Sequence, residues 1–178
     1  PEPDGLCGAR DGRVRWPGGV SGSGPGSGIH KTIDGGATWT RLSNDLPTGL
    51  IGKIGLAIYP RNPDILYAVI ENDNAPGVSF DDRWREVQAG QPGAVEPIGN
   101  VVYRTDDGGQ SWRRTSDGTV GERNNYYGRI VVDPNDADLI YFESQNGATR
   151  RTNLRTRESG SIRPGSSRNR QRSGAQRG

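Results

Sequence analysis

Thr105-Asp106-Asp107-Gly108-Gly109-Gln110-Ser111-Trp112 is an octet whose counterpart stands 73 residues earlier as Thr32-Ile33-Asp34-Gly35-Gly36-Ala37-Thr38-Trp39. Threonine, aspartate, the second glycine and tryptophan coincide in the two copies. Outward from the octets, Pro60-Arg61-Asn62-Pro63-Asp64-Ile65-Leu66-Tyr67 has its parallel in Pro134-Asn135-Asp136-Ala137-Asp138-Leu139-Ile140-Tyr141, at a spacing of 74. Matches at near-identical spacing mean that whole supersecondary units are duplicated, and self-similarity of this kind outranks any local motif.

The pattern Thr-x-Asp-x-Gly-x-x-Trp is turn chemistry. A short Asp side chain accepts backbone N–H bonds inside the turn, and Gly36 or Gly109 adopts positive φ without steric cost. Thr32 or Thr105 adds a hydroxyl to the same turn. Trp39 or Trp112 starts the outgoing strand with a large apolar face and an indole N–H that seeks an acceptor.

Around the octets lie short runs rich in Ile, Val, Tyr and Trp, at 29–32, 38–42, 54–59, 65–71, 101–105, 111–115, 130–133 and 139–144. Clusters of Gly, Asn, Asp and Pro separate them, so they read as strands joined by turns. No stretch of ten or more residues shows helical periodicity with caps at both ends. The expected class is therefore all-β. Within one repeat the order is strand, short loop, strand, longer loop, strand, tight turn, strand, which is the order of a four-stranded propeller blade. One complete blade is expected over 54–115, half a blade over 29–42 and a further one from Arg129. A degenerate third strand is expected at 148–153, where the Asp and Trp of the hairpin are missing. About two blades result, so the expectation is a partial propeller, a piece of a larger ring or an open stack with exposed edges.

The remaining sequence bounds the function. With 28 Gly, 12 Pro and 30% hydrophobic residues in 178, much of the chain must be turn or tail. Residues 1–27 have the Gly/Pro/Ser composition of a flexible segment in which no packed structure is expected. The propeller is assigned to 28–157, and 158–178 reads as a disordered Arg-rich tail. The formal net charge is +2, yet 155–178 holds seven Arg against one Glu, and the rest carries 16 basic against 20 acidic residues, a net −4. No nucleic-acid partner is expected from such a body. Cys7 is the only cysteine and His30 the only histidine, which excludes an intrachain disulfide, a two-sulfur metal site and a two-histidine centre. No cofactor or metal is expected, and no apolar run reaches the roughly 18 residues that span a bilayer. A start at Pro1 with no Met anywhere suggests a processed product or a fragment. The abrupt composition change at both ends is also what an altered reading frame would give.

The octets resemble the Asp-box, or bacterial neuraminidase repeat, of sialidases, xyloglucan-degrading hydrolases and sortilin-type receptors. Both copies match at every defining position: Thr32, Asp34, Gly36 and Trp39, then Thr105, Asp107, Gly109 and Trp112. Gly128-Arg129-Ile130-Val131-Val132-Asp133-Pro134 is similar to the strand that opens each blade in the sortilin-type and exported glycosyl-hydrolase-like group. The resemblance implies a β-propeller, an extracellular or periplasmic setting, and a purely structural role for the Asp-box residues. It covers 28–157.

Candidate contacts are few. The segment 72–99 is far longer than an ordinary loop; its composition reads first as a disordered surface insertion, and otherwise as a lid or binding loop that includes Trp84. Glu71 and Glu143 occupy corresponding ends of second strands in successive blades. Tyr126 and Tyr127, just before Arg129, lie on an inter-blade link where paired rings could stack on a sugar or peptide. Gly24-Pro25-Gly26-Ser27-Gly28 lacks the directly following Lys-Thr and helix of a phosphate loop. The expectation is a non-catalytic scaffold that binds a protein or glycan and is able to self-associate through exposed edge strands. The alternative is a fragment of a sialidase- or xyloglucanase-like glycoside hydrolase whose catalytic residues lie mostly elsewhere.

Overall fold

The computed structural model of the chain describes residues 5–9, 15–16, 19–20, 22–89, 93, 95–116, 129–142 and 150–153. In chain order these form β1 (Gly5–Ala9), β2 (Arg15–Trp16), β3 (Gly19–Val20), β4 (Gly28–Thr32), β5 (Thr40–Leu42), β6 (Ile51–Ile58), β7 (Leu66–Asn72), α1 (Phe80–Ala89), β8 (Gly99–Thr105), β9 (Arg113–Arg114), β10 (Ile130–Asp133), β11 (Asp136–Phe142) and β12 (Arg150–Asn153).

The duplicated segment folds as an antiparallel meander in the order β6-β7-β8-β9. A three-stranded sheet β1-β4-β5 precedes it and another, β10-β11-β12, follows; a small hairpin pairs β2 with β3. The arrangement is a partial β-propeller, one complete blade between two incomplete ones. The middle blade has two apolar faces because β7 carries an uninterrupted apolar run, the pattern of a strand covered on both sides. Leu66, Ala68 and Ile70 join Val101, Tyr103 and Trp112 against Ile29 of the N-terminal sheet, with Leu6, Leu42 and Leu46 packed at the margin. On the opposite face Tyr67, Val69 and Val102 meet Ile130, Val132, Ile140 and Phe142 of the C-terminal sheet.

Polar ties reinforce both junctions. Lys31 Nζ donates to the Gly108 carbonyl at 3.0 Å and Asn44 to the Gln110 carbonyl at 2.8 Å. On the other side the buried Arg104 reaches Asp138 at 2.5 Å and its guanidinium lies 5.4 Å from the Tyr67 ring centroid. The Tyr67 hydroxyl donates to the Ala137 carbonyl at 2.7 Å.

Three expectations are corrected. Residues 1–27 are not without packed structure: β1 pairs with β4 over five residues, and Ser23 and Ser27 are fully buried. Edge pairing uses main-chain groups, so a Gly-Leu-Cys-Gly-Ala strand forms despite its lack of β-branched residues. The insertion is not simply a disordered loop, since α1 occupies its middle. The outgoing strands of the two hairpins are shorter than 38–42 and 111–115, because Thr38, Trp39, Ser111 and Trp112 still belong to the turns.

Candidate functional site

Antiparallel strands sort the loops to two ends of the blade. The repeated octets follow the ends of β4 and β8, whereas the end of β7, the start of β8 and the start of β6 gather at the opposite end.

In the first octet the Thr32 hydroxyl donates to the Asp34 carboxylate at 2.6 Å and accepts the Gly36 N–H at 2.9 Å. Asp34 also takes the N–H and the hydroxyl of Thr38, at 2.9 and 2.6 Å. Trp39 Nε1 donates to the Gly36 carbonyl at 3.1 Å. The second octet repeats this through Thr105, Asp107, Gly109, Ser111 and Trp112, with the Gln110 N–H as a further donor to Asp107. Gly36 and Gly109 stand at φ +96° and +92°, where an L side chain would be strained. The Thr32 hydroxyl and then Thr38 draw the Asp34 pKa down to about 2. The Ser111 hydroxyl leads the donors that hold Asp107 lower still. The copies differ in cover: Trp112 is 3% exposed and Trp39 46%.

At the opposite end a network of amides and carboxylates closes β7. Asn72 and Asn100 are buried. The Asn72 side-chain carbonyl accepts both the backbone and the side-chain N–H of Asn74, at 3.1 and 2.7 Å. Asn74 in turn accepts the Leu50 N–H, donates to the Thr48 carbonyl and offers its own carbonyl to Ile98. This crossing requires glycine at position 49, where φ is +88° and a Cβ would lie 2.6 Å from Asn74 Oδ1. Asp73 accepts the Ser23 hydroxyl on its carboxylate and Arg83 Nε, at 2.8 Å, on its carbonyl. Arg83, 8% exposed, also pairs with Glu86 at 3.0 Å. α1 is thus pinned by a cation.

Ser79 caps that helix: its hydroxyl accepts the Asp82 N–H at 3.2 Å and donates to the Asp82 carboxylate at 2.7 Å. Trp84 stacks on Phe80, centroids 6.2 Å apart and planes 12° from parallel, and Phe80 is 41% exposed.

Glu71 projects from β7 toward the irregularity between Ile51 and Ile54 in β6, where its carboxylate accepts the Lys53 N–H at 2.9 Å. Arg129 is exposed immediately before β10. Tyr126, Tyr127 and Glu143 lie outside the described residues, so of the candidate contacts the structure places Glu71 and Trp84 at the insertion end and Arg129 at the opening of the next sheet. Asn72, Asp73, Asn74, Ser23 and Arg83 were not singled out from sequence. The pair Ser79 and Asp82, three apart ahead of Trp84, is the capping signal that could have shown the helix and its attachment. Among the described residues no group of three or more His, Cys, Asp or Glu gathers as a metal site, and no helix is long and apolar enough to cross a membrane.

No protein-family model matches the chain. It is 28% identical over 145 residues to a xyloglucanase from a Paenibacillus species, a match that takes in 77% of this chain and 12% of that protein. The chain therefore spans about an eighth of that relative's length. Among solved structures it is similar to the GH74 xyloglucanase of Xanthomonas campestris, at 19% identity and TM-score 0.42 over 66% of this chain and 15% of the other. The GH74 enzyme of Niastella koreensis gives the same identity and TM-score, over 67% of this chain and 17% of the other.

Proposed function

We propose that the chain is a blade-bearing part of a glycoside-hydrolase-like propeller, and that its insertion end contacts a glucan of the xyloglucan type. The observation that carries this reading is the match to the Paenibacillus xyloglucanase along most of the chain. The chemistry of the insertion end supports it: Phe80 and Trp84 offer apolar ring surface for a pyranose face, and the acids and amides around Glu71 and Asp73 suit sugar hydroxyls. Arg129, Glu143, Tyr126 and Tyr127 are further contacts in this reading. It also takes the two octets as Asp-box turns with no part in chemistry, and the setting as extracellular.

A second reading, binding without hydrolysis, is favoured by one contact. Retaining or inverting glycosidases need two carboxyl groups about 5 to 10 Å apart across the scissile bond, and Glu71 already commits an oxygen to the Lys53 amide. Calorimetric titration with xyloglucan oligosaccharides, alongside an assay for new reducing ends, separates the readings. Binding that Trp84→Ala weakens about tenfold, ~1.4 kcal/mol, is expected. New reducing ends lost in Glu71→Gln would assign hydrolysis; binding without them would assign the scaffold. No binding to any xyloglucan oligosaccharide would overturn the glucan assignment.

A further inference from the structure

Strand register gives two connections the same place in successive sheets. Gly5 stands opposite Thr32 across β1 and β4 as Leu66 stands opposite Thr105 across β7 and β8, and the two threonines open the octets. The stretch from β1 to β4 and the insertion from β7 to β8 are therefore counterparts, and both lie at the end away from the octets. In the first, Gly24 to Ser27 close a turn, with the Ser27 N–H on the Gly24 carbonyl at 3.2 Å. In the second, α1 carries Phe80 and Trp84.

These counterparts meet. Arg41 grips the turn from its own sheet, donating to the Pro25 carbonyl at 3.2 Å and to the Ser27 carbonyl at 2.6 Å. Toward the middle blade, the Gly24 N–H donates to the Ile51 carbonyl at 3.0 Å, and the fully buried Ser23 gives its hydroxyl to the Asp73 carboxylate. Asp73 is the shared residue. Its N–H donates to the Leu50 carbonyl at 2.9 Å, and its own carbonyl accepts Arg83 Nε at 2.8 Å. Amide, carboxylate and carbonyl thus hold three separate pieces of chain. Past Asp73, Gly77 stands at φ +75° with nothing within 4 Å of the place of a Cβ, so the approach to α1 adds little restraint of its own.

We infer that Ser23 and Asp73 are positioning residues for α1, so that a side chain no ligand can touch sets where Phe80 and Trp84 stand. The bond between them is charge-assisted and its donor is fully buried, a class of bond that is costly to leave unmade. Without it Asp73 is fixed at its amide, and the carbonyl that holds Arg83 can turn. Resting for its ligand on the glucan reading above, the affinity of the insertion end for xyloglucan oligosaccharides then depends on Ser23.

The test uses Ser23→Ala, with Asp73→Ala as a second variant at a half-buried position. Hydrogen exchange comes first and needs no ligand. Amides 80–89 should lose protection in both variants while β7 and β8 keep theirs, and Asp73→Asn, which retains an oxygen for the Ser23 hydroxyl, should keep most of it. In calorimetric titration with xyloglucan oligosaccharides, Ser23→Ala should weaken binding about fivefold, the low end of coupling between two sites. Added to Trp84→Ala, the same change should cost under about twofold, whereas independent losses would multiply. Unchanged protection at 80–89, multiplied losses, or unchanged affinity in a chain that binds would overturn the inference. Loss of protection in β7 and β8 as well, in both variants, would also overturn it, since Ser23 would then support the blade rather than the helix. If the unaltered chain binds no xyloglucan oligosaccharide, the glucan reading falls and exchange at 80–89 alone decides for or against the positioning role.

Discussion

A single buried hydroxyl organises each octet. Thr105 is 1% exposed, and its oxygen serves the Asp107 carboxylate and the Gly109 N–H together. Thr105→Val keeps the shape and removes both bonds, leaving a buried N–H unmet, so a loss of about 1 to 3 kcal/mol is expected in urea unfolding. An unchanged midpoint would deny the hydroxyl this role. The carboxylates set an acid limit. Asp34 titrates at about 2 in the folded chain against an ordinary 3.8, so the unfolded chain binds the proton more tightly and protonation favours unfolding. The contribution is complete above about pH 5 and disappears as pH falls from the ordinary value toward the folded one, with Asp107 extending the decline further down. Following the urea midpoint with pH should show that decline, shallower in Asp107→Asn; identical slopes would refute it. Duplication made the octet residues legible in sequence. Their partners were only half so, because an octet written twice does not reveal that Gly108 receives Lys31 or that Trp39 and Trp112 differ in cover.

At the scale of elements, strands were legible where β-branched and aromatic side chains crowd together, as in β7, β8 and β10, and illegible where the main chain alone decides, as in β1. The helix escaped because its apolar period is short, Phe80, Trp84 and Val87 among charged residues in a stretch bounded by Gly and Pro, and because its buried anchor is Arg83. Arg83→Ala should therefore free α1 without unfolding the blade. Amides 80–89 should lose hydrogen-exchange protection while β7 and β8 keep theirs; loss in all three elements would mean that the helix is integral to the blade. Trp112→Ala removes a buried ring, with a cost of about 3 to 5 kcal/mol. Trp39→Ala, at a ring nearly half exposed, should cost well under that. Equal midpoints for the two variants would contradict the difference in cover.

Across the whole molecule, stability is expected to peak in the middle and fade toward the outer sheets. β7 and β8 are packed on both faces, whereas among the described residues β1 and β12 are edge strands of three-stranded sheets. Native-state hydrogen exchange should rank β7 and β8 slowest. Slower exchange in either flanking sheet would reverse the order. Arg104→Met should cut into the junction with the C-terminal sheet, since it forfeits charged hydrogen bonds worth roughly 1.5 to 3 kcal/mol, and protection in β10 and β11 should fall before that in β6. The propeller class was legible because it rests on duplication and strand order. The insertion end was not, since its network joins Ser23, Leu50, Asn74 and Ile98 from four separate stretches of chain. The rim of the complete blade carries a further consequence. β9 is two residues long and both are arginine, a short like-charged border that rejects an added strand from another chain. Material driven out of solution by heat or concentration should therefore bind amyloid-specific dyes poorly, and its turbidity should clear on dilution.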